Sequence, residues 1–532
     1  MFLFVVSSAT AAELPRLTPD VRKKWWTTWH TPRQWMERKQ AVWKAIETLQ
    51  EERGTDWAMN DTAFIQWVGH IYWLHVFPPD WVNGREEDAA AYRALALEPQ
   101  LPWLFLSRLR AEDDARNALK VLVSIYQAFP DVCRRYDRLA VALALVWDQP
   151  PGRDWPHAYV ATASVPRGTE TPLDRFKFYV RAHKAGKLLF DPRKLAVRDL
   201  VLMVDSPLPL SEMESGQKLK IKRPGDLVKI YSAVDYDRKR LDQKDAVWSD
   251  RPYTLSNIAQ RGGICMDQAY MAWQTGKARG VPTILFSGLG RNGVHGWIGF
   301  MSVPGQWVLN AGRIQSQGYP VGRASHPQTR QPISDIELYT FQGRLNNHPA
   351  YRKARLILGW ARMNEQASFY PALVLMARRL VPDMTDSWFM EDAWHVKNKT
   401  SPGRHAAFLE KWIDHFRRAP EIRFAGQKRL YRLYLKHDLE SKAKRLHRQI
   451  VEENRSDRFD LGIHLTAETV FGHIEQNRWR EAQRAFEKAM NEAGSTSRGH
   501  LFYGLYQPYV QTCVLKRQFK LARSALNRAG IF

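Results

Sequence analysis

The sequence predicts an α+β chain in three parts: a helical N-terminal region, a central mixed domain and a C-terminal array of helical repeats. Three observations carry this expectation. Apolar residues at three-to-four spacing, such as Leu119, Leu122, Val123 and Tyr126, mark amphipathic helix before residue 150. Three short β-prone runs follow one another between Thr283 and Asn310, behind a stretch of helical composition. A period of 40 residues links Leu439, Trp479 and Phe519, and again Leu446, Phe486 and Leu526.

The chain has 532 residues, room for three to four domains at about 150 residues each. Hydrophobic residues make up 44% and charged residues 25%, so real cores can form and broad disorder is excluded. The net charge of +24 favours acidic partners or acidic envelope polymers, although charge alone also serves solubility. Specific nucleic-acid binding is not favoured on that ground alone. Cys133, Cys265 and Cys513 lie far apart, which excludes a disulfide scaffold and CxxC-type metal sites. No apolar run reaches the ~18 residues of a membrane-spanning helix.

The first eleven residues run apolar into Ala9-Thr10-Ala11, a small-x-small pattern of the kind cleaved after an export signal. The expectation is a shortened leader over 1–11 and an exported mature chain; an ordinary apolar N-terminus would leave the protein cytoplasmic. Trp25, Trp26, Trp29, Trp35 and Trp43 among basic residues open a helical region over 12–150 and are read as packing residues. His70 and His75 have no third ligand in spacing and are read as core or surface histidines. Pro150 to Pro172 is rich in Pro, Gly and Thr, which predicts a linker, with helical stretches completing 151–225.

The segment that carries chemistry lies in 226–330. Arg261-Gly262-Gly263-Ile264-Cys265 gives a tight turn, and Cys265 to Ala278 has helical composition, so Cys265 sits at a helix N-terminus. A free thiol titrates near pH 8.5, and the thiolate is the nucleophile. A helix N-terminus favours an anion by roughly 0.3–2 kcal/mol, which is about one pKa unit. That leaves a mixed population near neutrality, so an imidazole and an orienting acceptor are needed as well. The runs Thr283–Ser287, His295–Met301 and Gln306–Asn310 read as strands. His295 begins one strand and Asn310 ends the next, which predicts that they are neighbours in an antiparallel hairpin.

Gly-x-Cys-x-Asp at a helix start, Gly280-Val281-Pro282, His-x-Trp from His295, and Trp307-x-x-Asn310 together resemble the transglutaminase-like superfamily. That resemblance implies a papain-like fold over roughly a fifth of the chain. It implies Cys265 as nucleophile, His295 as base and acid, and Asn310 as orienter. The sequence departs from the family pattern at Asn310, where Asp is common, and at Gly296, where Ala is common. The implied chemistry is acyl transfer through a thioester on a protein or peptide substrate, resolved by water or by an amine, with no cofactor and no metal. The alternative is a silent transglutaminase-like scaffold that binds a partner or an acidic polymer through its helical flanks.

The backbone N–H of Cys265 is one oxyanion donor. Gln260, five residues upstream, is the candidate for the second, with the Trp248 indole as another. Asp267 is read as a structural cap or a partner of Arg261. Gly288–Gly293 matches GxGxxG by letter, but a strand follows where the dinucleotide fingerprint needs a helix, so it is read as a turn. Cys133 and Cys513 sit in apolar helical patterns and are read as inert core thiols. Over 331–532 the small residues Ala482, Ala485 and Ala489 recur as Ala522, Ala525 and Ala529. They suit close helix pairs in a loosely tetratricopeptide-like array open to a protein partner.

Overall fold

The structure, a computed structural model, describes residue 48 and residues 62–77, 86–152, 155–242, 247–291, 293–338, 350–365, 370–492 and 498–528. The leader segment 1–11, the five tryptophans between 25 and 43, and Ala529 lie outside them. The fold is α+β: helices surround one five-stranded sheet. No helix among the described residues is long and apolar enough to cross a membrane.

Amphipathic patterning builds the N-terminal part. Helix Ala115–Ala128 starts where the Asp114 carboxylate accepts the Asn117 N–H at 3.0 Å, and it buries Leu119, Leu122, Val123 and Tyr126 on one face. Helix Asp137–Val146 is buried from Leu139 onward. It is too apolar to serve as a surface helix and forms the centre of the bundle. His70 is buried in this part and His75 is exposed. The 150–172 segment is irregular, as its composition predicts, but it is no free linker. Ala161 N–H donates to Trp248 O at 2.8 Å and Trp248 N–H to Tyr159 O at 3.0 Å, which ties the segment to the central domain.

The sheet has the order β3-β2-β1-β4-β5, every neighbour antiparallel, with β1 Thr283–Gly290, β2 Gly293–Val303, β3 Gln306–Ala311, β4 Arg323–Ser325 and β5 Pro332–Ser334. The β1–β2 register runs from Thr283↔Phe300 to Gly290↔Gly293. The letter match at 288–293 is therefore strand and hairpin tip rather than turn throughout, because main-chain pairing continues through its glycines. Strand alternation gives the sheet two buried faces. Ile284, Phe286, Trp297 and Met301 join the N-terminal helical core, while Ile298 and Phe300 pack on helix Cys265–Ala278. That helix is pressed between the sheet and its neighbours, with nearly every residue buried.

Helices Tyr351–Met363 and Tyr370–Leu380 complete the N-terminal core rather than opening the repeats. The array begins at Thr385. Its hairpins pair Thr385–Lys397 with Pro402–His415, Pro420–Lys436 with Glu440–Glu453, Phe459–Glu475 with Trp479–Glu492, and Arg498–Leu515 with Phe519–Leu526. Each hairpin turns through one left-handed residue: Lys399, Asp438, Asn477 and Arg517, at φ 46, 55, 57 and 57°. The next N–H closes each turn, as in Leu439 N–H to Tyr434 O at 2.9 Å and Gln518 N–H to Cys513 O at 2.7 Å. This recurring Schellman turn fixes the phase of the 40-residue period. Ala443, Ala482 and Ala522 are buried at the helix crossings. Leu526 and Phe519, at 54% and 62% exposure, are not, because no described helix stacks on the last hairpin.

Since L-residues are disfavoured in that conformation, Arg517→Gly is expected to stabilise the last hairpin by about 0.5–1 kcal/mol. An unchanged or lowered Tm would contradict the expectation.

Candidate functional site

Helix Cys265–Ala278 starts abruptly because the two preceding glycines do different work. Gly262 turns at φ 81°, and the main chain of Gly263 pairs with a passing segment: Gly263 N–H donates to Asp235 O at 2.8 Å, and Asp237 N–H to Gly263 O at 3.1 Å. The Asp267 carboxylate caps the helix by accepting the Ile264 N–H at 2.7 Å. It is fully buried and takes two further donors, Arg240 Nη1 at 2.5 Å and Tyr253 Oη at 2.7 Å. Asp267 is therefore structural, but its partner is Arg240 rather than Arg261. Arg261 closes the preceding helix and turns outward to Asp250.

Cys265 Sγ lies against β2. The backbone N–H groups of Gly296, Met266 and Cys265 itself favour the sulfur's anion. Burial outweighs them, helped by the Asp267 charge, so the thiol is held above its ordinary range. It is 7% exposed. Gly296 is glycine for contact reasons: a Cβ there would strike the Met266 sulfur and lie 3.2 Å from Met266 Cα. The Ala common in the resembling family would not fit this packing unchanged.

His295 is the residue before that contact and is 8% exposed. Its Nε2 bonds Gly312 O at 2.7 Å. A carbonyl only accepts, so Nε2 carries the proton and Nδ1 is left as the acceptor nitrogen. Burial lowers the imidazole's pKa below the usual value, the Gly312 bond opposing it, so the ring is neutral at pH 7. Tyr319 and Trp297 stack on the ring at 5.8 and 6.1 Å. No hydrogen bond joins Cys265 Sγ and His295 in this state.

Asn310 does not take the orienting place. β3 pairs Val308 with Phe300 but Ala311 with Ile298, one residue out of step. Asn310 thus lies beside the Ile298–Gly299 step, well along the strand from His295, and its side chain is exposed. The chain then turns over Gly312 at φ 90°, closed by Arg313 N–H to Asn310 O at 3.0 Å, and this turn carries the Gly312 carbonyl back to the imidazole. Gln260 does not reach the sulfur either. It is exposed and its amide donates to Ser256 Oγ at 3.2 Å, one turn back on its own helix. The Trp248 indole is engaged by Arg251 O at 2.9 Å.

Tyrosines from separate segments complete the surroundings. Tyr159, Tyr231, Tyr236 and Tyr319 all feel the charge of a Cys265 thiolate. Tyr231 Oη donates to Gly296 O at 2.8 Å, and its ring backs Gly312, so one side chain steadies both sides of His295. Behind this wall the buried chain His157–Tyr253–Asp267–Arg240 is continuous, and Arg240 Nη2 reaches Tyr159 O at 3.0 Å. No local pattern in the sequence points to Tyr159, Tyr231 or Arg240. Gly312 directly follows the last predicted strand, and that is the one signal that could have raised it.

The array leans on the hairpin tip near this site: His500 Nε2 bonds Leu289 O at 2.8 Å. The remaining thiols are remote and buried, with burial pushing Cys133 up to about 12. Among the described residues no group of three or more His, Cys, Asp or Glu is placed to hold a metal ion. No family model, curated protein or solved structure matches the chain.

Proposed function

We propose that the chain is a transglutaminase-like thiol enzyme with Cys265 as nucleophile and His295 as proton carrier, exported and acting on a peptide or carboxamide bond. The observation that carries this reading is that Gly296, the residue after His295, packs against Cys265 and Met266 at the helix start, where its N–H favours a sulfur anion. The adjoining residue, His295, has its Nε2 fixed on Gly312 O, which leaves Nδ1 able to accept a proton. In the proposed reaction His295 Nδ1 takes the thiol proton as sulfur attacks the carbonyl. The main-chain N–H groups at Cys265 receive the oxyanion. The same proton passes to the leaving amine, and water or a second amine then releases the acyl group. A papain-like central domain belongs to the same reading.

The buried thiol and neutral imidazole describe an enzyme at rest as a neutral pair, not an ion pair. Iodoacetamide labelling of Cys265 should therefore be slow at pH 7 and rise through a midpoint above the ordinary ~8.5 of a free thiol. Turnover should need neutral His295 and fall only below the ordinary histidine value of about 6.5. Dansylcadaverine incorporation into casein would report transfer, and ammonia release from a glutaminyl peptide would report hydrolysis. Loss of both in His295→Ala, with the fold intact, supports the enzyme.

The low exposure of Cys265 and the missing sulfur–imidazole bond favour a second reading, a silent domain carrying a partner-binding repeat array. Equal, slow labelling of all three cysteines at every pH, unaffected by His295→Ala, would establish that reading instead.

A further inference from the structure

A guanidinium taken out of water ordinarily meets a carboxylate, because an unpaired buried charge costs several kcal/mol. Arg108 and Arg198 form no ion pair with any described residue. A cavity of about 510 Å3 opens between the N-terminal helices, helix Tyr351–Met363 and the β2–β3 turn at Pro304-Gly305. Among the described residues its charged lining is Arg108, Arg138, Lys194, Arg352 and Lys353 against one carboxylate, Asp199. Leu104 and Leu356 supply an apolar side.

Tyr351, 3% exposed, forms the inner end. The Arg108 guanidinium stands 4.5 Å over its ring and that of Arg198 5.8 Å. Of the acids around them, Asp386 is already shared by Arg355 at 2.6 Å, Arg110 at 2.9 Å and Arg362 at 3.2 Å. The Arg108 and Arg198 guanidiniums make no hydrogen bond or ion pair with any described residue, and Arg108 Nε and Arg198 Nη1 are buried without a partner.

We propose that this cavity binds a small organic phosphate, its phosphate group against Arg108, with the Arg198 charge at Tyr351 adding to the positive field, and its apolar body along Leu104 and Leu356. The excess of cations selects phosphate over a monocarboxylate. A dianion with three acceptor oxygens can serve several guanidinium forks at once, whereas a carboxylate neutralises one. The volume falls within the range of small-molecule sites. Against its burial, Arg110, Arg198, Arg355 and Arg108 pull the Tyr351 hydroxyl down to about 7. Phosphate binding should return the proton to Tyr351.

The test uses the full chain with phenyl phosphate as probe, and inorganic phosphate and benzoate as comparison arms, followed by calorimetry and thermal shift. Phenyl phosphate should raise Tm in a concentration-dependent way, and near pH 8 its binding should reduce tyrosinate absorbance. Inorganic phosphate should bind more weakly for want of the apolar body. The double variant Arg108→Gln, Arg198→Gln should weaken phenyl phosphate by at least about tenfold. Its own Tm should be unchanged or raised, since two unpaired buried charges are gone. Arg352→Gln, at the exposed rim, keeps the test decisive should the double variant fail to fold. It should weaken binding about threefold or more with Tm unmoved. No Tm shift at about 10 mM probe, an affinity unchanged in these variants, or equal binding of benzoate would each overturn the proposal.

Discussion

Asp267→Ala is expected to destabilise the folded chain by about 3–5 kcal/mol, the cost of breaking a buried ion pair from one side. The carboxylate is fully buried and Arg240 is 4% exposed, so neither can fall back on water. Removing it takes the buried carboxylate away from Arg240, Tyr253 and the Ile264 N–H together, leaving Tyr253 only His157. Asp267→Asn should cost less, because an amide oxygen still accepts from Tyr253 or Ile264. Urea unfolding with an unchanged m value measures the difference. The variant should also label faster at Cys265, since Arg240 anchors Tyr159, which packs against the Cys265 cluster. A loss below about 1 kcal/mol would show that water reaches Arg240 and that the network is not closed.

Gly312→Ala should cost about 2–5 kcal/mol, from two sources. A φ of 90° is unfavourable for any residue with a Cβ, by about 1–2 kcal/mol. The new methyl would also stand 2.5 Å from Tyr231 Cζ, and forcing a packed ring aside costs about 1–3 kcal/mol more. The consequence for chemistry is specific. The carbonyl that fixes His295 Nε2 would move, so any His295-dependent labelling or turnover of Cys265 should be lost along with stability. Asn310→Ala should do neither, changing stability by no more than about 0.5 kcal/mol, because the side chain is exposed and bonds nothing at the site. If Asn310→Ala instead removes activity and Gly312→Ala spares it, the orienting group is the amide after all, reached through a rearranged hairpin.

The contrast between these two residues shows where sequence reading ended. The strands at 283, 293 and 306 and the helix start at Cys265 are written in local composition, and so is the repeat period. What places an acceptor beside His295 is a one-residue slip in the β2–β3 register, which no hydrophobic pattern near Asn310 announces. Gln260 failed for a similar reason: five residues upstream is close in chain but on the far side of a helix. Asp267 looked nearest to Arg261, yet its ion pair came from Arg240, across the fold.

The amino-acid sequence alone determined the order of helical, mixed and repeating parts, the position of Cys265 at a helix N-terminus and the strand that begins near His295. These follow from spacing and turn chemistry within a dozen residues. Tertiary structure alone decided that the thiol is covered, that a glycine carbonyl holds the imidazole, and that Arg108 lines a cavity without an ion-pair partner among the described residues. Each of those is a contact between distant segments, and burial sets its energy only once the segments have met.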